Sequence, residues 1–219
     1  MNDRDPDAYH VPSDGPEIEL RVQGSRFLAR VWTAPDEESV AAGLDDARRR
    51  YHDATHHCWA HRAAPPAAPR ERHDDDGEPA GTAGVPILAA IRQADLVDAL
   101  VVVTRYFGGT KLGTGGLARA YGEAAREALT AAGRKIRWNS ADLVLVFGFD
   151  DVGTVETVVA RSAGAILDVE RRFDPEPGLR LTVKHSLLDE IRSRLIEATA
   201  GRVRFPEPGE PESGEAEPG

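Results

Sequence analysis

Residues 99–132, ALVVVTRYFGGTKLGTGGLARAYGEAAREALTAA, contain the change of pattern that decides the fold. Ala99–Thr104 is a short unbroken apolar run rich in β-branched valine, the mark of a strand buried on both faces. Five glycines then fall between Gly108 and Gly116 and break that pattern. From Leu117 the period becomes helical: Leu117, Tyr121, Ala125, Ala128 and Leu129 share one face as far as Ala132, and Gly133 supplies the stop. Strand, glycine turn and amphipathic helix together predict a mixed α/β domain.

Towards the N terminus, Ile18–Val22 and Phe27–Trp32 read as strands joined through Gly24 and Ser25. A helix follows Pro35, with Asp36, Glu37 and Glu38 at its positive end, Arg48–Arg50 at its negative end, and Val40, Leu44, Ala47 and Tyr51 as its buried stripe. Thr55–Arg62 reads as a strand. Ala63–His73, rich in Pro and Ala, has the composition of a mobile loop. Pro86 opens a short helix with Ile87, Leu88 and Ile91 inward. On the C-terminal side, Ile136–Ser140 is expected to link two domains.

The remaining segments read as strand Leu143–Phe149, a helix through Val152, Val155, Val158 and Val159 ended by Gly164, and strands Ile166–Phe173 and Leu179–Lys184. A helix then opens on a Ser186/Asp189 capping box with Leu188, Ile191 and Leu195 inward, and Arg202–Phe205 closes the order. The order βαββαβ is that of a ferredoxin-like sandwich. The expected organisation is an unstructured acidic N terminus (1–16), a mixed α/β domain (17–138), a ferredoxin-like domain (141–205) and an unstructured acidic tail (206–219).

The formal charge of −10 sits at the ends: residues 1–19 carry six acids against one base, and residues 206–219 carry five acids and no base. The body from Leu20 to Phe205 is balanced at 26 of each sign, so charge alone neither demands nor excludes nucleic acid. No apolar run is long enough to cross a bilayer, and the first twenty residues hold no signal-peptide core. A single cysteine, Cys58, cannot pair within the chain, and these features fit a reducing cytoplasm without membrane attachment.

The loop GGTKLGTGG is neither a P-loop, since Lys111 comes too early and Gly115 stands where Ser/Thr is needed, nor a dinucleotide fingerprint, since no acid falls in the region expected to hold the ribose. Its glycines allow a sharp strand-to-helix turn, and equally leave amides open to an anion at a helix N-terminus. Arg105, Lys111 and Arg119 tilt the reading towards the anion, making Arg105, Gly108, Gly109, Lys111, Gly113, Gly115, Gly116 and Arg119 the candidate phosphate site. His56, His57, Cys58 and His61 suggest metal. However, strand alternation divides them between two faces, neither of which reaches four ligands without outside help, and no second cysteine exists, so the expectation is a strand with a buried Cys58 and a polar edge, no metal and no cofactor. Asp74, Asp75, Asp76 and Glu78 are candidate acid/base carboxylates, or a solvated acidic turn. No nucleophile with an adjacent base is readable. In the second domain Arg180, Thr182, Lys184, Arg202 and Arg204 are expected on one open face, a phosphate surface or an ordinary solvated one.

Four segments, SRFLARV (25–31), DATHHCWAHR (53–62), DDGEPAGTAGVPIL (75–88) and VVVTRYFGGTKLGTGGLARAYGEA (101–124), closely resemble the signature of the YigZ/IMPACT family, in the family's order. The resemblance runs from about Ser25 to Phe205. It implies an α+β protein of two domains: an N-terminal mixed α/β domain of the superfold that includes elongation factor G domain IV, and a C-terminal domain like domain V of that factor. It implies a cytoplasmic, non-catalytic binding protein of translation, contacting RNA, the ribosome or a translation-related protein. Eukaryotic relatives restrain a translation-control kinase through an extra N-terminal domain for which this chain has no room. One alternative is a hydrolase, since some bacterial relatives carry a proline-dipeptidase label, with His56, His57, Asp75, Asp76 and Glu78 around a cleft. Another is a protein adaptor acting through its acidic tails.

Overall fold

The computed structural model describes residues 5–65, 68–173 and 175–206. The chain divides into two compact units, Tyr9–Arg137 and the flanking residues up to Ala8 and from Trp138 onward.

In the larger unit a five-stranded sheet has the order β2-β3-β6-β4-β5, built from β2 (Ile18–Val22), β3 (Ser25–Thr33), β4 (His56–Ala63), β5 (Arg70–Asp74) and β6 (Ala99–Tyr106), every neighbour antiparallel. The central place of β6 explains its unbroken apolar run: Ala99 to Arg105 are all buried. Helices α2 (Gly84–Gln93) and α3 (Gly113–Ala132) cover one face and share a core with Phe27, Ala29, Val31, Cys58, Val101 and Val103. Helix α1 (Glu37–Arg50) covers the other, where Val40 and Ala47 pack with Leu100 and Val102. Asp36 caps α1 in a reciprocal box with Ser39, satisfying an amide the helix would otherwise leave open.

In the smaller unit β8 (Ser140–Val146), α4 (Val152–Arg161), β9 (Ile166–Arg172), β10 (Gly178–Lys184) and α5 (Leu188–Ala198) form an antiparallel sheet of order β8-β10-β9 backed by the two helices. Leu145, Leu181, Ile191 and Leu195 are at the centre of its core.

Several sequence expectations are corrected. The Pro/Ala-rich stretch 63–73 contains β5, because Arg70–Asp74 finds the free edge of β4, and Glu71 bonds Arg62 and Arg92; residues 66 and 67 lie outside the described residues. The N-terminal acidic segment contains β1 (Ala8–Pro12), paired with β7 (Arg134–Trp138), and Val11 is buried. Its acids find partners distant in sequence: Asp5 meets Lys184 at 2.7 Å, and Asp7 accepts from the Ser186 amide at 3.1 Å. Ser186 is therefore not the cap of α5, which follows a short 3-10 turn and has no side-chain cap. The expected linker 136–140 is instead strand on both sides of Asn139. The expected last strand is reduced to a bridge between Val146 and Arg204, and the acidic tail from residue 207 lies outside the described residues. Helix α3 begins four residues before Leu117, so Gly113, Thr114, Gly115 and Gly116 form its first turn.

Candidate functional site

Alternation along β6 places Arg105 on the same face as Val101 and Val103, beneath α2 and α3. A charge there needs a partner, since an unpaired buried guanidinium is costly. The partner is Glu78. Arg105 Nη1 donates to Glu78 Oε1 at 2.6 Å, and the two side chains are 6% and 4% exposed. Tyr121, fully buried on α3, donates its hydroxyl to the same oxygen at 2.8 Å. The Cys58 thiol reaches the Tyr121 oxygen at 3.3 Å and the Asp75 carbonyl at 3.0 Å. Burial pushes the Cys58 thiol up to about 12 and raises the Tyr121 hydroxyl too, so both stay protonated and serve as donors.

This network extends to the glycine-rich segment. Arg105 Nη2 donates to Ser25 Oγ at 3.3 Å, and the same oxygen accepts the Gly108 amide at 3.2 Å. The guanidinium lies between two rings, 5.4 Å from the centroid of Phe27 and 5.5 Å from that of Phe107. Gly108 is required here: a Cβ would fall 1.9 Å from the Gly24 carbonyl carbon in the β2–β3 turn. Arg105 is thus not an exposed phosphate contact. It anchors the start of the loop from below.

The rest of the loop is open. Gly108, Gly109, Thr110 and Lys111 are exposed, as are Gly113, Thr114, Gly115 and Arg119. Gly113 opens α3 at φ +68°, a conformation that suits glycine. Leu112 at the N-cap offers no side-chain acceptor, and the first turn holds no acid, so the amides of a twenty-residue helix begin without a local cap. Among the described residues Lys111 and Arg119 make no hydrogen bond or ion pair. Gly108, Gly109, Lys111, Gly113, Gly115, Gly116 and Arg119 accordingly form one continuous segment, with Arg105 beneath it.

The five residues of the hydrolase alternative do not converge. His56 Nε2 lies 3.9 Å from Glu78 Oε1, with its Nδ1 held by the Asp76 carbonyl at 2.6 Å. His57 falls on the opposite face of the sheet, against Thr104 Oγ1 at 3.0 Å, and burial lowers its pKa. Asp75 turns away to accept the amides of Gly81, Ala83 and Gly84 at 2.7 to 2.9 Å. Burial acts to raise its pKa, and the three amides outweigh that and hold it below the usual carboxylate value. Asp76 accepts the His57 amide at 2.5 Å. Among the described residues no group of three or more His, Cys, Asp or Glu side chains is placed to hold a metal ion.

In the smaller unit the basic face is neutralised by its own acids. Arg180 meets Asp142 at 3.5 Å, Lys184 meets Asp5, Arg202 forms a two-point pair with Asp151 at 2.6 and 2.9 Å, and Arg204 pairs with Glu176. Sequence reasoning placed Tyr121 and Cys58 in the core but missed their polar partners. A buried tyrosine hydroxyl needs one, which was the available signal.

The profile of the Impact N-terminal domain matches residues 23–129. An IMPACT family member from Haemophilus influenzae is 32% identical over 196 residues, 89% of this chain and 94% of the relative. An IMPACT family member from Thermus thermophilus is 40% identical over 163 residues, 74% of this chain and 85% of the relative. IMPACT family member YigZ from Escherichia coli is 28% identical over 91% of this chain and 97% of its own. A crystal structure described as a hypothetical protein superposes with a TM-score of 0.65 at 26% identity, over 94% of this chain and 99% of that one. No described helix is long and apolar enough to cross a membrane.

Proposed function

The chain belongs to the IMPACT family, and from that premise we propose that it is a non-catalytic cytoplasmic protein of translation control that contacts RNA or the ribosome through the segment from Gly108 to Arg119. The observation that carries this reading is the uncapped N-terminus of α3, presented on a glycine segment with Lys111 and Arg119 exposed and without partners among the described residues. A helix N-terminus combines donor amides with positive potential, and two free cations add charge where a phosphate would sit. Lys111 and the α3 amides take the place first given to Arg105.

The smaller unit is read as a ferredoxin-like sandwich. The bridge at Arg204 extends the order to Arg204, β8, β10, β9, which is what that fold requires. The likeness of the larger unit to elongation factor G domain IV rests on the family resemblance. A translation-related protein partner fits the same role. The hydrolase reading has less support, because among its five residues the one imidazole–carboxylate contact is that of His56 with Glu78, at 3.9 Å.

The test is binding of a fluorescent oligoribonucleotide to the intact chain by anisotropy, across a range of salt concentrations. Phosphate contacts predict tight binding at low salt, with log affinity falling linearly against log salt by about 0.7 per neutralised phosphate of a single strand. Absence of binding at low salt would remove the proposal.

A further inference from the structure

Resting on the phosphate-binding reading above, we infer that Phe107 is a stacking platform for an unpaired base, making the ligand a single-stranded nucleic acid rather than a duplex. Phe107 is the exposed phenylalanine of the larger unit, 48% accessible, while Phe27 is fully buried. It stands where the central strand meets the glycine segment.

Three features fix its position. The Phe107 amide donates to Thr55 Oγ1 at 3.3 Å, and the next amide, that of Gly108, to Ser25 Oγ at 3.2 Å. Gly108 is packed against Gly24 more closely than any side chain would permit. Beneath the ring lies the Arg105 guanidinium, 5.5 Å from its centroid and itself held by Glu78. One face of the ring is therefore occupied by a cation that cannot leave, and the exposed remainder is a flat apolar surface of fixed position. Such a surface suits a nucleobase, because every base has a π face and stacking demands little sequence specificity.

The surrounding charge selects the same ligand. No Asp or Glu occurs between Asp98 and Glu123, although the chain as a whole is acidic, and that acid-free stretch carries Lys111 and Arg119 exposed. An apolar peptide would need only the ring, whereas an aromatic platform on the same chain segment as two exposed cations, without partners among the described residues, matches a base attached to phosphate. Duplexes keep their base faces stacked inside, so a ring on a loop can reach only an unpaired nucleotide.

The experiment uses the full chain with three probes: a short single-stranded RNA, the single-stranded DNA of the same sequence, and the corresponding blunt RNA duplex. Wild type is compared with Phe107→Leu, Phe107→Trp and Lys111→Ala/Arg119→Ala, with folding checked by thermal melting. Stacking predicts that Phe107→Leu weakens single-strand binding by about tenfold and leaves duplex binding unchanged, and that Phe107→Trp restores binding with added tryptophan quenching. Preference between the RNA and DNA strands then identifies which source supplies the base. Equal binding of single strands by Phe107→Leu and wild type overturns the platform. If Lys111→Ala/Arg119→Ala nevertheless loses affinity for every probe, the phosphate reading stands without it. If wild type binds no probe at low salt, both readings fall together.

Discussion

Arg105 and Glu78 meet at 2.6 Å inside the larger unit, 27 residues apart in sequence, and their contact ties the buried face of the sheet to the open glycine segment. The pair is almost sealed from water; Tyr121 donates to Glu78 and Ser25 accepts from Arg105, while Arg105 Nε has no partner among the described residues. A buried pair of this kind contributes little over an apolar replacement, but breaking it is expensive.

Glu78→Ala should therefore destabilise the protein by about 3–5 kcal/mol, since it leaves the Arg105 cation buried alone. Glu78→Leu combined with Arg105→Met should recover much of that loss. Urea unfolding midpoints compare the two; equal losses in both variants would contradict a charge-based cost.

Tyr121→Phe removes only the hydroxyl, and with it a donor to a carboxylate and an acceptor for Cys58. A loss of roughly 1.5–3 kcal/mol follows for a hydrogen bond to a charged group. The ring contact with Phe27, centroids 5.1 Å apart, should survive, so near-ultraviolet circular dichroism should keep its shape.

Lys111→Ala/Arg119→Ala should change stability by no more than about 0.5 kcal/mol, because neither side chain has a partner to lose among the described residues. Its effect should fall on RNA instead. The slope of log affinity against log salt should shrink by about 1.4 for a single strand, which corresponds to two lost phosphate contacts.

Gly108→Ala and Gly115→Ala should move stability in opposite directions. At Gly108 the new methyl meets backbone at 1.9 Å, so the β2–β3 turn must shift. At Gly115, inside the first turn of α3, the nearest atom is a flexible Arg119 nitrogen at 3.5 Å. There a gain of up to about 1 kcal/mol is expected from helix propensity. Thermal melts of the two variants give the sign of each directly.

Asp75 makes part of the stability pH-dependent. Its folded pKa is depressed, so its contribution is complete above the unfolded value near 3.8 and is lost as pH falls through the lower folded value. Asp75→Asn should flatten the acid limb of the stability profile below pH 4. The variant should also be less stable at neutral pH, as one carboxylate oxygen accepts the Ala83 and Gly84 amides and the other that of Gly81. An unchanged acid limb would show that other carboxylates carry it.

What was legible in the sequence is what neighbours along the chain encode. The valine run of β6, the stripe of α3 and the two separate cores all follow from periods of two or 3.6 residues, within a window of about twenty. Arg105 lies just past the strand expected at Ala99–Thr104, where its charge suggests a phosphate contact; in the structure β6 continues through it, and alternation with Val101 and Val103 turns it inward. Tertiary structure decided everything that depends on a distant partner. Glu78 reaches Tyr121 across 43 residues, Arg105 reaches Ser25 across 80, and Asp7 reaches Ser186 across 179. Distant partners of this kind neutralise Arg105 through Glu78, hold the acidic N-terminal segment through Asp7, and turn a Pro/Ala-rich stretch into an edge strand against β4. Local pattern fixes which face a side chain takes, because backbone geometry repeats. Whether a charge there is free depends on what the folded chain brings against it, and no local period carries that information.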